Sequence, residues 1–314
     1  MIGPTLRSDI EVFSHADMQS GQPSHTAIAA GYARAYHQNT EGPRVFTDPL
    51  AGALVGNTGD DAQNGLASAF VGRAEDHMPD DTAAMITSAR ARLAEDTIAD
   101  AVAGGTRQAV ILGAGLDTFA YRNPHPDLHV FEVDHPDTQA WKRQRLTEAD
   151  ITSPDSLTFV PVDFEKQTLA TGLAASNFVR DEPTIFIWLG VTMYLTTEAI
   201  RTTLNFIAEQ ARPVQVVADY MSPISTAAPE NRAAFEKAAD LIAELGEPFL
   251  SYFTVDEFEN ELRAAGFDVI EDFSAPDLLV EYVGRRGAPD GVVGGGLASA
   301  HVVRASAGPR HKPR

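Results

Sequence analysis

Five continuous apolar runs, separated by segments with helical spacing, do most to limit what this chain can fold into. They are "AVILGA", "HVFEVD", "TFVPVDF", "TIFIWLGV" and "VQVVADYM". Helical periodicity returns between them, in "HPDTQAWKRQRLTEA" and "TTEAIRTTLNFIAEQA". Strands that are apolar on both faces, alternating with helices, predict an α/β fold with a mostly parallel sheet covered on both sides. Past Met221 the pattern changes. "APENRAAFEKAADLIAELG" reads as an inserted helix, and "TVDEFENELRAAGF" as a helix with an acidic start and a glycine stop. "DVIEDFS" and, after a glycine-rich loop, "SAHVVRAS" predict a C-terminal antiparallel hairpin at the sheet edge.

Upstream of the first run, residues 1–24 are polar and without period. "TAIAAGYARAYH" is an alanine-rich helix, and "FTDPLAGALVG" is a turn opening a short one, with Asp48 as N-cap and Pro49 at the first helical position. "TAAMITSARARLAEDTIADAVAGG" (Thr82–Gly105) is the strongest helix of the chain and ends on a glycine pair. These signals divide the chain into an N-terminal helical extension or lid (1–81), a core (82–308) with an inserted cap segment (222–252), and a frayed tail (309–314).

The bulk numbers exclude several functions. Lys and Arg total 24 against 44 Asp and Glu, a net charge of −20. Such a surface repels phosphate backbones and anionic lipid, so neither nucleic acid nor membrane is expected as partner. There is no cysteine, hence no disulfide, thiolate metal site or cysteine nucleophile. The first residues lack a signal-peptide core, and the longest apolar stretch, Thr184–Leu195, has 12 residues, too few to span a bilayer. A soluble cytoplasmic protein is expected, with its oligomeric state left open.

The chemistry is concentrated where the first run ends, in "VILGAGLDT". Gly113 permits a tight turn and Gly115 a close approach of backbone to ligand. The second run ends in Asp134, 19 residues past Gly115, where such folds grip a ribose diol. Glu132, on the same face of that strand, is the alternative if the register shifts. A dinucleotide site wants a third small residue at position 118, which is Thr118, preceded by Asp117. A carboxylate there repels a pyrophosphate but suits an ammonium or sulfonium, and this favours S-adenosylmethionine over NAD.

"VILGAGLDTFAYR", "VFEVDHP", "FVPVDF" and "WLGVTMYLT", in that order, resemble the S-adenosylmethionine-dependent methyltransferases of the leucine carboxyl methyltransferase superfamily, with "TAIAAGYARAYH", "FTDPLA" and "ARARLAED" matching upstream. The nearest likeness is to the bacterial branch, which includes polyketide carboxyl O-methyltransferases. The resemblance implies a seven-stranded Rossmann-like class I methyltransferase sheet. It also implies that Gly113, Ala114 and Gly115 line the methionine and ribose, and that Asp134 holds the ribose hydroxyls. Asp163 and Phe164 would meet the adenine. Arg90, or Arg92 two residues on, would fork the cofactor carboxylate. Better-known members end the fourth strand in Glu; here the position is Leu189, so that contact is either missing or replaced by backbone carbonyls near Leu189 and Gly190. Tyr194 is retained and would line the methyl-transfer pocket.

The expected activity is O-methylation of a small molecule in secondary metabolism. A carboxylate is the first-ranked acceptor because it is ionised at neutral pH and needs no general base. A phenol would need one, for which His37, His77, His125 and His135 are candidates. No metal-ligand spacing is present. The acceptor pocket is expected between the N-terminal helices and the cap, with Phe235, Phe249 and Phe253 along it. An NAD-dependent oxidoreductase, a protein C-terminal carboxyl methyltransferase and a cofactor-binding protein without catalysis remain open at this point.

Overall fold

The computed structural model describes residues 24–39, 44–56, 81–163, 166–227, 229–287 and 299–308. The predicted features at 1–23, His77, Phe164 and 309–314 lie outside them. The N-terminal part contributes α1 (His25–His37) and α2 (Ala51–Val55). The core follows as α3 (Asp81–Ala103), β1 (Gln108–Leu112), α4 (Phe119–Arg122), β2 (His129–Asp134), α5 (Pro136–Glu148), β3 (Leu157–Pro161), α6 (Leu169–Ala174) and β4 (Thr184–Trp188). Then come a 3₁₀ turn (Thr192–Tyr194), α7 (Thr197–Ala208), β5 (Val214–Met221), α8 (Pro229–Glu244), α9 (Val255–Ala265), β6 (Val269–Ser274), α10 (Ala275–Gly287) and β7 (Ala300–Ala307).

The seven strands form one sheet in the order β3-β2-β1-β4-β5-β7-β6. The first five are parallel, and β7 is antiparallel to both β5 and β6. Alternate residues feed two cores. Val110, Leu112, Phe131, Phe186 and Trp188 pack with residues of α7 and α9. Ala109, Ile111, Ile185 and Ile187 pack with residues of α3 and α10. Burial on both faces is why these strands read as unbroken apolar runs.

Local signals set the helix ends. Thr254 and Glu257 form a reciprocal capping box at the start of α9, and Gly266 ends it at φ 110°. His135 caps α5, with Pro136 in its first turn. One expectation needs correction. Asp48 does accept from the backbone N–H of Leu50 and Ala51, but α2 starts at Ala51, so Pro49 lies in the turn before it. The C-terminal strands β6 and β7 form the expected antiparallel pair at the sheet edge. Their connection includes α10, broken at Gly284, and β7 sits inside the sheet with β6 at the edge.

Behind the end of β2, Glu132 and Lys142 form a fully buried ion pair, Nζ to Oε2 2.7 Å, which fastens α5 to β2. Glu132 is therefore occupied within the core. Burial pushes its carboxyl from the usual 4.5 up to about 7, the nearby ammonium offsetting only part of that cost. The folded state then binds this proton more tightly than the unfolded chain. The resulting contribution to stability is complete below about pH 4.5 and is lost as pH rises to about 7, by at most about 1.4 kcal/mol per pH unit. Glu132→Gln is expected to flatten the wild-type loss of stability across that window, as read from urea midpoints at successive pH values. Parallel pH profiles for the two proteins would refute it.

Candidate active site

A cavity of about 550 Å³ opens at the carboxyl ends of the parallel strands. It sits where the order turns from β1–β2 to β1–β4, the switch point at which open α/β sheets bind ligands. The loop after β1 forms its floor. Gly113 and Gly115 have φ of 63° and 43°, the left-handed region. A Cβ on Gly113 would lie 2.3 Å from Val191 Cγ2, and one on Gly115 2.9 Å from Ala27 Cβ. Glycine is thus required here by both backbone conformation and close approach. Ala114 lines the same wall.

Asp134 ends β2 and faces the cavity. Its Oδ2 accepts the backbone N–H of Gly115, and its Oδ1 that of His135 at 2.7 Å. Each oxygen keeps a lone pair for a ligand hydroxyl. Burial raises its carboxyl above the usual carboxylate range, against those two N–H bonds. Asp163, just past β3, also lines the cavity and pairs with Lys166 at 2.5 Å. His135 lines the same end, but its Nδ1 accepts from Asp137 N in capping α5.

Arg90 and Arg92 separate cleanly. Arg92 pairs with Asp96 at 2.7 Å on the exposed side of α3 and is not among the cavity residues. Arg90 projects into the cavity beside Gly190, with its Nη1 2.6 Å from Asp219 Oδ2. Asp219 Oδ1 in turn accepts the N–H of Gly190 at 2.7 Å. Leu189 and Gly190 both line the cavity after β4. Asp219, on β5 and itself not among the cavity residues, thus ties Arg90 to the backbone after β4. Sequence reasoning missed Asp219, although an aspartate inside the apolar run "VVADYM" was a signal, since a buried carboxylate must find partners.

The opposite end of the cavity is mostly apolar, with Met193, Tyr194, Met221 and Phe249. The Tyr194 and Phe249 rings are 5.5 Å apart, with Phe235 and Tyr252 packed behind Phe249. Burial, and secondarily the Glu247 carboxylate, push the Tyr194 phenol well above its usual value. Of the expected aromatic lining only Phe249 reaches the cavity. Phe235 backs it, and Phe253 packs in the core against Tyr220 and Phe258. His37 is buried, its Nε2 accepting from Val45 N, and His125 is not among the cavity residues. Glu247 was not foreseen either. It lines the cavity and accepts from Ser24 Oγ, His25 N, Thr26 N and Thr26 Oγ1.

The residues present suit one cofactor. The glycine turn leaves room against backbone, Asp134 offers acceptors for a diol, and Asp117, Asp134, Asp137, Asp163 and Glu247 outnumber Arg34, Arg90 and Lys166 among the cavity residues, which suits a cation. Comparison with known proteins agrees. The leucine carboxyl methyltransferase family matches residues 27–208. YktD of Bacillus subtilis, named as an S-adenosyl-L-methionine-dependent methyltransferase, is 32% identical over 279 residues, covering 83% of this chain and 91% of its own length. A Mycobacteroides abscessus protein with the same activity in its name is 30% identical over 260 residues, covering 77% and 79%. In fold, a methyltransferase structure from Thermobifida fusca aligns with TM-score 0.58 at 16% identity, over 95% of this chain and all (100%) of the other. A DUF574 family structure from Streptomyces avermitilis gives 0.55 at 14%, over 91% and 98%. Sheet, glycine turn and relatives together define an S-adenosylmethionine-dependent methyltransferase. More particularly, the chain belongs to the leucine carboxyl methyltransferase family.

Proposed function

We propose that this protein is a cytoplasmic O-methyltransferase that esterifies the carboxylate of a small, largely apolar acid of secondary metabolism. S-adenosylmethionine, when bound, supplies a methyl group on a positively charged sulfur. Gly113, Ala114 and Gly115 would leave room for its ribose and methionine part, and Asp134 would accept from the ribose hydroxyls. Asp163, with the neighbouring Phe164, would meet the adenine. Arg90, held beside Gly190 by Asp219, would fork the methionine carboxylate. The backbone at Leu189 and Gly190 would border the reacting centre. Tyr194 and Phe249 would shape the acceptor's slot and keep water from it.

One observation carries the choice of acceptor. Among the described residues, the carboxylate that lines the apolar end, Glu247, is already engaged by four donors, and Asp219, which does not line the cavity, by Arg90 and Gly190. The Tyr194 phenol is held in its protonated form by burial. None of these groups stands ready to take a proton, and an acceptor carboxylate, with a pKa of about 4, has none to give at neutral pH. The test is a panel of apolar carboxylic acids and matching phenols with S-adenosylmethionine, products read by mass spectrometry. Methyl esters are expected, at a rate flat from about pH 6 to 8. Methylation of phenols alone, at a rate rising towards their pKa of about 10, would replace this reading with a base-assisted one. NAD-dependent chemistry is not favoured by the family match, and a protein C-terminus as acceptor would appear as methylation of a peptide in preference to free acids.

A further inference from the structure

Both halves of α1 pack on the core, Ile28 on Val55 and Leu116 in the first, but their polar ties differ. Its C-terminal half is tied to the core: Arg34 Nε lies 3.0 Å from the buried Asp48, and Arg34 Nη2 donates to Leu116 O at 2.7 Å. Gly31 packs so closely on Leu116 that a Cβ there would be 3.1 Å from its Cδ1. The N-terminal half lies over the cavity, with Ala27 against Gly115 of the cofactor turn. Its first residues are held from across the cavity by Glu247, 222 residues away, which takes the N–H groups of His25 and Thr26 at 2.7 and 3.2 Å and the Thr26 hydroxyl at 2.6 Å. Glu247 follows α8 at the end of the cap segment, and its backbone N–H bonds to Ile242 O. The contact therefore joins the N-terminal extension to the cap across the mouth of the site.

We propose that Glu247 is a latch. It holds the N-terminal half of α1 down over the cavity, and its release lets that half swing about the Arg34 anchor so that cofactor and product exchange. The proposal rests on the S-adenosylmethionine reading for what exchanges, and on geometry alone for what moves. The latch is suited to repeated opening because its donors are a helix's first N–H groups and two hydroxyls, all of which water satisfies once they part. The anchor is not, because parting Arg34 from Asp48 strands a buried charge.

Amide hydrogen exchange on the full chain tests it, with Glu247→Gln as first variant and Thr26→Val, which leaves the Ser24 cap of α1 in place, as second. The informative amides are those of Ile28 to Ala30, which do not bond to Glu247. In both variants these should exchange at least tenfold faster, while those from Ala33 to His37 change less than twofold. S-adenosylhomocysteine should dissociate at least tenfold faster. Unchanged exchange from Ile28 to Ala30 would overturn the latch, as would equal acceleration along the whole of α1, which marks loss of the helix instead of hinging. If α1 opens as described but S-adenosylhomocysteine binds to no form of the protein, the cofactor reading fails and the latch stands.

Discussion

Asp134→Ala is expected to weaken S-adenosylhomocysteine binding by at least about a hundredfold. Two hydroxyl donors to one carboxylate are charge-assisted hydrogen bonds, each about 1.5 kcal/mol or more, and about 1.4 kcal/mol is a factor of ten. The loss should be larger than that sum implies, because Asp134 also fixes the floor of the site by accepting from Gly115 and His135. Asp134→Asn separates the two roles. It keeps the shape and one acceptor oxygen but turns an amide donor towards a diol or a backbone N–H. Titration calorimetry gives the affinity, and thermal unfolding without ligand gives the effect on the turn. A lower melting temperature with unchanged affinity would show that Asp134 serves only the turn. The raised carboxyl adds a pH signature. Affinity should begin to fall on acidification above the usual carboxylate range, because the protonated acid accepts less well. Neither variant should show that fall.

Residues whose place at the cavity is set by local pattern were legible in the sequence. The strands announced themselves because burial on both faces needs only the run itself. Gly113, Gly115 and Asp134 were legible because one turn and one spacing define them. Arg90 was legible as one of two arginines, and only the rotation of α3 separates it from Arg92. Asp219 and Glu247 take their meaning from Arg90, 129 residues away, and from α1, 222 residues away, and no local period encodes such a pairing. The helix α10 was missed although "SAPD" carried its start: Ser274 Oγ accepts from Asp277 N. The glycines that follow pulled the whole segment towards a loop reading. Leu189 shows a further limit. Read alone, it was a lost carboxylate; that the next strand carries Asp219, bonded to Arg90 and to the N–H of Gly190, is visible only once β4 and β5 are side by side.

Asp48→Ala should be the most destabilising of the substitutions considered, at about 3–5 kcal/mol, the range for removing one partner of a buried charge pair. Asp48 is 0% exposed at its side chain, against 10% for Arg34 and 16% for Arg122, which flank it at 3.0 and 3.4 Å. Arg122 keeps Glu95 at 2.5 Å, so Arg34 bears most of the loss, with only carbonyl oxygens left to it. The turn before α2 also loses its acceptor, worth about 1 kcal/mol. Asp48→Asn restores that acceptor without the charge, and should recover about that part. Burial opposes the charge on Asp48, but the Arg34 and Arg122 guanidiniums and the Thr118 hydroxyl outweigh it and hold the carboxyl below its usual 3.8. The contribution is therefore complete above about pH 4 and is lost as pH falls through the lower folded value, so wild type and Asp48→Asn should converge in strong acid and diverge above it. Chemical denaturation across that range reads both effects, and identical acid profiles would refute the assignment. The consequence for the site differs in kind from that of the latch. With Asp48 gone, α1 loses its fixed end, so exchange should rise along the helix through His37, and the cofactor turn beneath Leu116 should loosen with it.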